Sequence, residues 1–172
     1  MKKIFFFFIF FLSLENLHAN ENIVYLDIQY IIDNSDIGLL YKKKIKSQQS
    51  IIRSSLLKKE NVIKDKQKEI NNQKNILKKN ELDKKIKNLN ILLADFQKKI
   101  NANNSKILNE KKKYSSEILK ILNPLLTKYV EKNSISLVIE KKNIIVGIKT
   151  LDITSDILEL INKETKTIVN EN

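Results

Sequence analysis

The chain is poor in the residues that interrupt or cross-link a fold. Its 172 residues include no Cys, no Trp, 1 Pro, 2 Gly and 1 His. Without Cys there are no disulfides and no thiol chemistry, even in an oxidising compartment. The one histidine, His18, lies in an N-terminal stretch that reads as removable, so the processed chain would hold neither His nor Cys. The commonest general base, the commonest metal ligand and the thiol nucleophile are then missing together. Carboxylates and lysines remain, but no constellation of them announces catalysis. No catalytic, cofactor-binding or metal residue is assigned, and the expectation is a protein that is not an enzyme. Scarce Gly and Pro leave few enforced turns and favour long helices. Beyond the first residues no stretch is apolar enough to span a membrane.

What is present begins with "MKKIFFFFIFFLSLENLHAN". Lys2 and Lys3 precede an apolar run over residues 4–14, shorter than the roughly 20 apolar residues a spanning helix needs. A charged front, a short apolar middle and the small Ala19 read as a secretory signal peptide, residues 1–19. Leu17 is larger than the small residue usual at its place before such a cleavage site. An uncleaved membrane anchor is the competing reading. The processed chain is expected to be exported.

The net charge is +12, which suits anionic partners. AT-rich coding, with its abundant Lys, Asn and Ile, is the bland explanation. The charge is unevenly placed, however. Residues 20–40 carry four acids (Glu21, Asp27, Asp33, Asp36) and no base, and residues 114–172 carry eight of each sign. Residues 41–113 carry 22 bases against seven acids, so all the excess lies in the middle. Drift would have to avoid both ends, although a solvated helix face remains an open reading.

That middle is helical by its periodicity. Leu82, Ile86, Leu89, Leu93, Phe96, Ile100, Ile107, Tyr114, Ile118 and Ile121 form a heptad stripe, with Asn103 and Glu110 in the skipped positions. A poorer stripe precedes it: Ile45, Ile52, Leu56, Ile63, Ile70 and Leu77, with Lys59, Lys66 and Gln73 where second seam residues belong. One strong and one weak stripe suit two antiparallel helices packed along a narrow seam. The break is expected at residues 78–83, "KKNELD", with Asn80 as a C-cap and Asp83 near the next helix start. No Gly or Pro enforces it, and a single continuous helix is the alternative. Pro124 predicts a kink or a restart.

The two ends look different. Residues 23–27 read as a strand, and "ISLVIE" and "NIIVGI" as two more, joined at Lys141, Lys142 and Asn143. A final helix follows, with Thr154 as its N-cap, Asp156 at its positive end and an apolar face of Ile157, Leu160 and Ile161. Three short strands and a helix bury little alone, so oligomerisation is expected. The antiparallel hairpin returns the chain to its start, where both ends can build one body. The fold class is thus α+β, mostly α. A long antiparallel helical-hairpin (coiled-coil) arm, residues 41–122, projects from a small β-rich oligomerisation body of residues 20–40 and 123–172.

The signal peptide, "NIVYLDIQYIIDNS", the long charged helical pair, "LVIEKKNIIV" and "LDITSDILELIN" together resemble the Skp/OmpH family of periplasmic chaperones. The order of elements covers essentially the whole processed chain. The first strand with its short helix and residues 152–158 are the most specific pieces. The resemblance implies a location in the periplasm and a homotrimer with a central β-body and three arms around a cavity. There it would hold unfolded outer-membrane proteins without ATP or any cofactor. It implies that Ile23, Val24, Leu26, Leu137, Val138, Ile139, Ile145 and Val146 fall in the trimer body, and that clients meet the inner arm faces. The chain departs from the family in its scarce Gly and its Lys- and Asn-rich arms, so no lipopolysaccharide-binding residue is carried over.

Physical reasoning agrees with that role. Basic arms can collect acidic unfolded chains by long-range attraction, which salt screens beyond about 10 Å at 0.1 M. Ile51, Leu57, Val62, Ile91, Leu92 and Leu108 lie off the main seam and could offer client-contact surface or pack on the partner helix. Lys78, Lys79, Lys84, Lys85 and Lys87 near the turn could touch lipopolysaccharide or an anionic phospholipid surface, or serve solubility. A coiled-coil envelope spacer or tether without client binding is the alternative function. A basic nucleic-acid-binding coiled coil fits less well, because of the export signal and the absence of aromatic or Arg-rich readout residues.

Overall fold

A computed structural model describes residues 22–171. The expected signal peptide lies outside the described residues. The chain runs through strand β1 (Ile23–Leu26), helix α1 (Ile28–Asn34), helix α2 (Asp36–Gln73), helix α3 (Lys79–Lys132), strand β2 (Leu137–Glu140) and helix α4 (Thr154–Asn170). Two single-turn 3-10 segments, Lys141–Asn143 and Lys149–Leu151, lie between β2 and α4. The architecture is mostly α: a long helical arm on a small body that holds a two-stranded sheet.

β1 and β2 pair in parallel, with Ile23 opposite Leu137, Val24 opposite Val138, Tyr25 opposite Ile139 and Leu26 opposite Glu140. A parallel pair needs a crossover connection, and here the whole α2–α3 hairpin supplies it. The Ile153 amide donates to the Tyr25 carbonyl at 3.0 Å, so β1 is flanked on its other side as well. The core draws on both ends of the chain: Val24, Leu26, Ile31 and Ile37 meet Ile118, Leu122, Ile135, Ile153, Ile157 and Ile161.

Local chemistry sets the entry into the arm. Asp27 caps α1 by accepting from the Tyr30 amide at 2.8 Å, and Ser35 caps α2 by accepting from the Gly38 amide at 3.2 Å. Asp36 in the first turn of α2 favours the positive helix end. The α1–α2 corner is so tight that a Cβ on Gly38 would stand 2.0 Å from the Ile32 carbonyl oxygen. Only glycine fits there.

The arm is the antiparallel pair of α2, 38 residues, and α3, 54 residues. At 1.5 Å per residue these are about 57 and 81 Å long. The turn lies at residues 74–78, earlier than the 78–83 the sequence suggests. Lys78 is the N-cap residue of α3, and Asn80 and Asp83 are inside the helix. Cross-helix register explains the shift. The Tyr41–Tyr114 ring stack and the Lys85–Glu69 ion pair are both symmetric about residue 77 to within one position. A turn centred beyond residue 80 would slip both pairs.

The seam departs from the expected stripe near the tip. Leu89 is buried and Leu92 half-buried, while Ile86 and Leu93 are exposed. Here Lys85 and Leu92 take the seam positions assigned to Ile86 and Leu93. Leu82, Leu89 and Phe96 keep their seam places, and the second seam position falls three residues after Leu82 and Leu89 instead of four, both spacings lying on the same helix face. Nor does α3 restart at Pro124; it runs through it. The missing amide costs one bond to the residue 120 carbonyl. Leu122, Leu125 and Leu126 around it pack on the core and hold the helix together.

Two further expectations fail in the body. "NIIVGI" is not a strand: the chain takes a 3-10 turn at Lys141–Asn143 and then bends through residues 145 and 146. Among the described residues no strand pairs with it. Thr154 is not the N-cap of α4 but its first residue, after Ile153. Its amide donates to Asp152 Oδ1 at 3.0 Å, and its hydroxyl accepts from the Asp27 amide at 2.9 Å. Thr154 thus ties the end of β1 to the start of α4.

Candidate functional site

Two surfaces remain open once these contacts are made. The first is on the body. Among the described residues β2 pairs only with β1, so its outer edge carries unpaired backbone groups. Next to it stands the loop of residues 144–148, where Ile145 is 100% and Val146 89% exposed. Ile148, Leu137 and Ile23 add exposed apolar surface. The predicted oligomerisation set therefore divides. Val24 and Leu26 are buried in the chain's own core, and Val138 and Ile139 are half-buried. Ile23, Leu137, Ile145 and Val146 face outward.

The loop is held in place. The Tyr25 hydroxyl donates to the Ile148 carbonyl at 3.2 Å. Lys141 stands 5.9 Å over the Tyr25 ring and forms a 2.8 Å ion pair with Asp152. Burial alone would raise the Asp152 carboxyl, but Lys141 and the Thr154 hydrogen bonds outweigh it and hold it below its usual value. This clamp joins β1, the turn after β2 and the start of α4.

The second surface is the arm. Where α2 and α3 leave the body, Tyr41 and Tyr114 stack with centroids 4.1 Å apart and planes at 11°. Burial, then hydrogen bonding and charge from Glu117, push the Tyr41 phenol up to about 12. Burial and Glu110 push Tyr114 up too. Around the stack lies a cavity of about 530 Å³, and beyond it one of about 630 Å³. Gln49 and Lys111 line both, so the two form one groove along the arm. Its outer part has an apolar floor, including Ile52, Leu56, Phe96 and Ile100, with Arg53 and Lys111 at the rim.

Of the predicted contact residues, Ile51, Leu57, Val62, Ile91 and Leu108 are exposed, and Leu57 and Leu108 edge this groove. Leu92 belongs to the seam instead. Lys78, Lys79, Lys84 and Lys87 are exposed near the tip, but Lys85 is engaged by Glu69 and Gln73 across the hairpin. The residues the sequence reading missed are Ile76, 83% exposed at the turn, and Tyr25 with its clamp. The correct turn position would have exposed the first; the second depends on contacts between distant segments. Among the described residues no group of His, Cys, Asp and Glu could hold a metal ion, and no helix is long and apolar enough to cross a membrane.

The family described as outer membrane protein (OmpH-like) has a sequence model that matches residues 22–161. The chain belongs to the OmpH-like family. The match runs from β1 through the arm into α4, so it includes both open surfaces. Among solved structures, this OmpH-like chain is similar to an OmpH-like candidate outer membrane chaperone from Caulobacter crescentus CB15. The two share 12% identity at a TM-score of 0.74, over 83% of this chain and 85% of that one. At that identity the likeness speaks for the fold. No curated protein gives a match.

Proposed function

We propose that this OmpH-like protein is an exported, ATP-independent holdase that binds unfolded outer-membrane proteins between basic helical arms and prevents their aggregation. The observation that carries this reading is the arm's surface. Its helices leave Ile51, Leu57, Val62, Ile91 and Leu108 uncovered among lysines. Such a surface can hold many unfolded sequences weakly, by apolar contact and charge attraction, and release them without chemistry. Family membership and the chaperone assignment of the Caulobacter relative support it.

The working form is a homotrimer in the periplasm. The exposed edge of β2 and the Ile145–Val146 loop support association, since a body this small gains from burying them. The protein is not an enzyme and uses no cofactor. A coiled-coil spacer is the second reading, favoured by the uninterrupted 54 residues of α3.

One assay separates the two. A urea-unfolded outer-membrane β-barrel protein is diluted into buffer with and without the chain, without nucleotide, at low and moderate salt, and light scattering is followed. Suppression near one oligomer per client, weakened by salt, is expected. Unchanged scattering at several-fold excess overturns the holdase reading and leaves the spacer.

A further inference from the structure

Two features of the arm do nothing to hold the hairpin together. Asn103 occupies a seam position that the heptad stripe would give to an apolar residue. With the exposed Asn104 it lines the outer part of the groove, the cavity of about 630 Å³. Among the described residues neither amide side chain has a hydrogen-bond partner. The second feature is Arg53, the one arginine among 32 basic residues. It stands exposed at the rim, and no carboxylate among the described residues pairs with it. The carboxylate that lines the groove, Glu60, is held by Lys64 at 2.7 Å. Solubility asks only for charge, which a lysine supplies. A guanidinium adds a planar fork that grips both oxygens of a carboxylate.

These groups select what can lie on the apolar floor of Ile52, Leu56, Phe96 and Ile100. A helix satisfies its own backbone, so a helix laid there would leave Asn103 and Asn104 unused. The arm of a second copy would also bring positive charge against Arg53 and Lys111, since residues 41–113 carry 22 bases and seven acids. An extended segment has free backbone donors and acceptors, and each Asn side chain offers both kinds of partner. Strands of membrane β-barrels alternate apolar and polar side chains, so one face of such a segment suits the floor. A cavity within the range of about 300–1,000 Å³ encloses a small ligand or a few side chains. We propose that the groove is a discrete docking subsite for an extended client segment. An apolar or aromatic side chain rests on the floor, Asn103 and Asn104 pair with the segment's backbone, and Arg53 clamps a carboxylate of the same segment. This rests on the holdase reading and adds a preference to it. Arg53 is the residue that selects, favouring segments in which an acid neighbours an aromatic residue.

The test is fluorescence anisotropy with two short labelled peptides, titrated with the chain from Asn20 onward in moderate salt. Both alternate threonine with apolar residues; one carries Glu beside a Phe, the other Gln in its place. The Glu peptide binds the parent about tenfold more tightly, as a charge-assisted clamp requires. Arg53→Gln abolishes that preference, and Arg53→Lys keeps only part of it. Lys58→Gln, the same loss of charge at an exposed site of the same helix outside the groove, keeps all of it. Leu108→Ser, at the groove's edge, weakens both peptides alike. The proposal is overturned if neither peptide binds, if Arg53→Gln or Arg53→Lys keeps the full preference, or if Lys58→Gln loses as much as Arg53→Gln. An Arg53→Gln variant with an altered oligomeric state in sedimentation velocity overturns it too, by giving the groove to a second copy. Light scattering with the unfolded outer-membrane protein separates the two readings. A parent that suppresses aggregation but does not distinguish the peptides defeats the subsite alone; one that fails to suppress aggregation defeats the holdase reading and the subsite with it.

Discussion

The hydroxyl of Tyr25 donates a hydrogen bond to the carbonyl of Ile148 at 3.2 Å, joining the first strand to a loop 123 positions later. Gly147 makes the approach possible, because a Cβ there would stand 2.9 Å from Tyr25 Cε1. Together they fix the loop that exposes Ile145 and Val146. If copies associate through that loop, loosening it weakens association without unfolding the chain. Tyr25→Phe removes one hydrogen bond, worth about 1 kcal/mol, so the dissociation constant of the oligomer rises about fivefold. Gly147→Val, which also displaces the ring, has a larger effect. Sedimentation velocity over a concentration series reads the shift, and far-ultraviolet circular dichroism stays unchanged. An unaltered dissociation constant in both variants means the loop is not the interface.

Ser134 ends α3 in a conformation that suits glycine better. Its φ of 52° is the one positive value for a non-glycine residue among the described residues. The Ile135 amide donates to the Val130 carbonyl at 3.0 Å and the Ser134 amide to the Glu131 carbonyl at 3.3 Å, a Schellman ending with Ile135 buried beyond it. Replacing Ser134 with Gly relieves the Cβ clash of the left-handed region and stabilises the chain by about 1 kcal/mol. Ser134→Val worsens the clash and destabilises by a similar amount or more. The midpoints of urea unfolding should move in opposite directions.

The arm was legible because heptad spacing is a local signal. The antiparallel pairing, the body formed by both ends and the strand at residues 23–26 followed from apolar periodicity and scarce breakers. What escaped depends on contacts between distant segments. Nothing near residue 77 marks a turn; only the Tyr41–Tyr114 and Lys85–Glu69 pairings place it. Leu92 and Leu93 are indistinguishable as letters, one three and one four residues after Leu89, and packing against the partner helix decides which faces the seam. "NIIVGI" has the composition of a strand, but a strand needs a neighbour. β1 is already flanked by β2 and by residues 152 and 153 and offers it no free edge, and after β2 the chain turns through the 3-10 segment at Lys141–Asn143 instead of pairing back along it.

The lysine at the seam near the tip gives the arm an acid-sensitive point. Lys85 bridges α3 to Glu69 and Gln73 of α2. Its hydrogen bond, and then its charge, hold the Glu69 carboxyl below the ordinary 4.5. A carboxyl lowered in the folded state adds stability above its unfolded pKa and loses it as pH falls through the folded value. The distal hairpin should therefore loosen on acidification below about pH 4.5, and Glu69→Gln should loosen it already at neutral pH. Amide exchange over residues 66–88 reads both effects. If the Gln variant protects those amides as well as the parent does at pH 7, the ion pair does not hold the tip.

Tyr129 gives the body the opposite dependence, at the alkaline end. Its hydroxyl donates to Asp156 Oδ2 at 2.6 Å, tying the last turns of α3 to the first turn of α4. That hydrogen bond first, then burial and the carboxylate charge, push the phenol from 10.0 up to about 12. In the unfolded chain the phenol ionises near 10, so the folded state holds the proton through an interval in which the unfolded state has lost it. The contact's contribution is full below pH 10 and disappears as pH climbs through about 12. Tyr129→Phe removes both the hydrogen bond and this pH dependence. The difference in urea midpoint between parent and variant should favour the parent at neutral pH and shrink steadily over the alkaline interval. Contributions common to both proteins cancel in that difference. A difference that stays constant to pH 12 means the Tyr129 proton is not shared with Asp156 in solution.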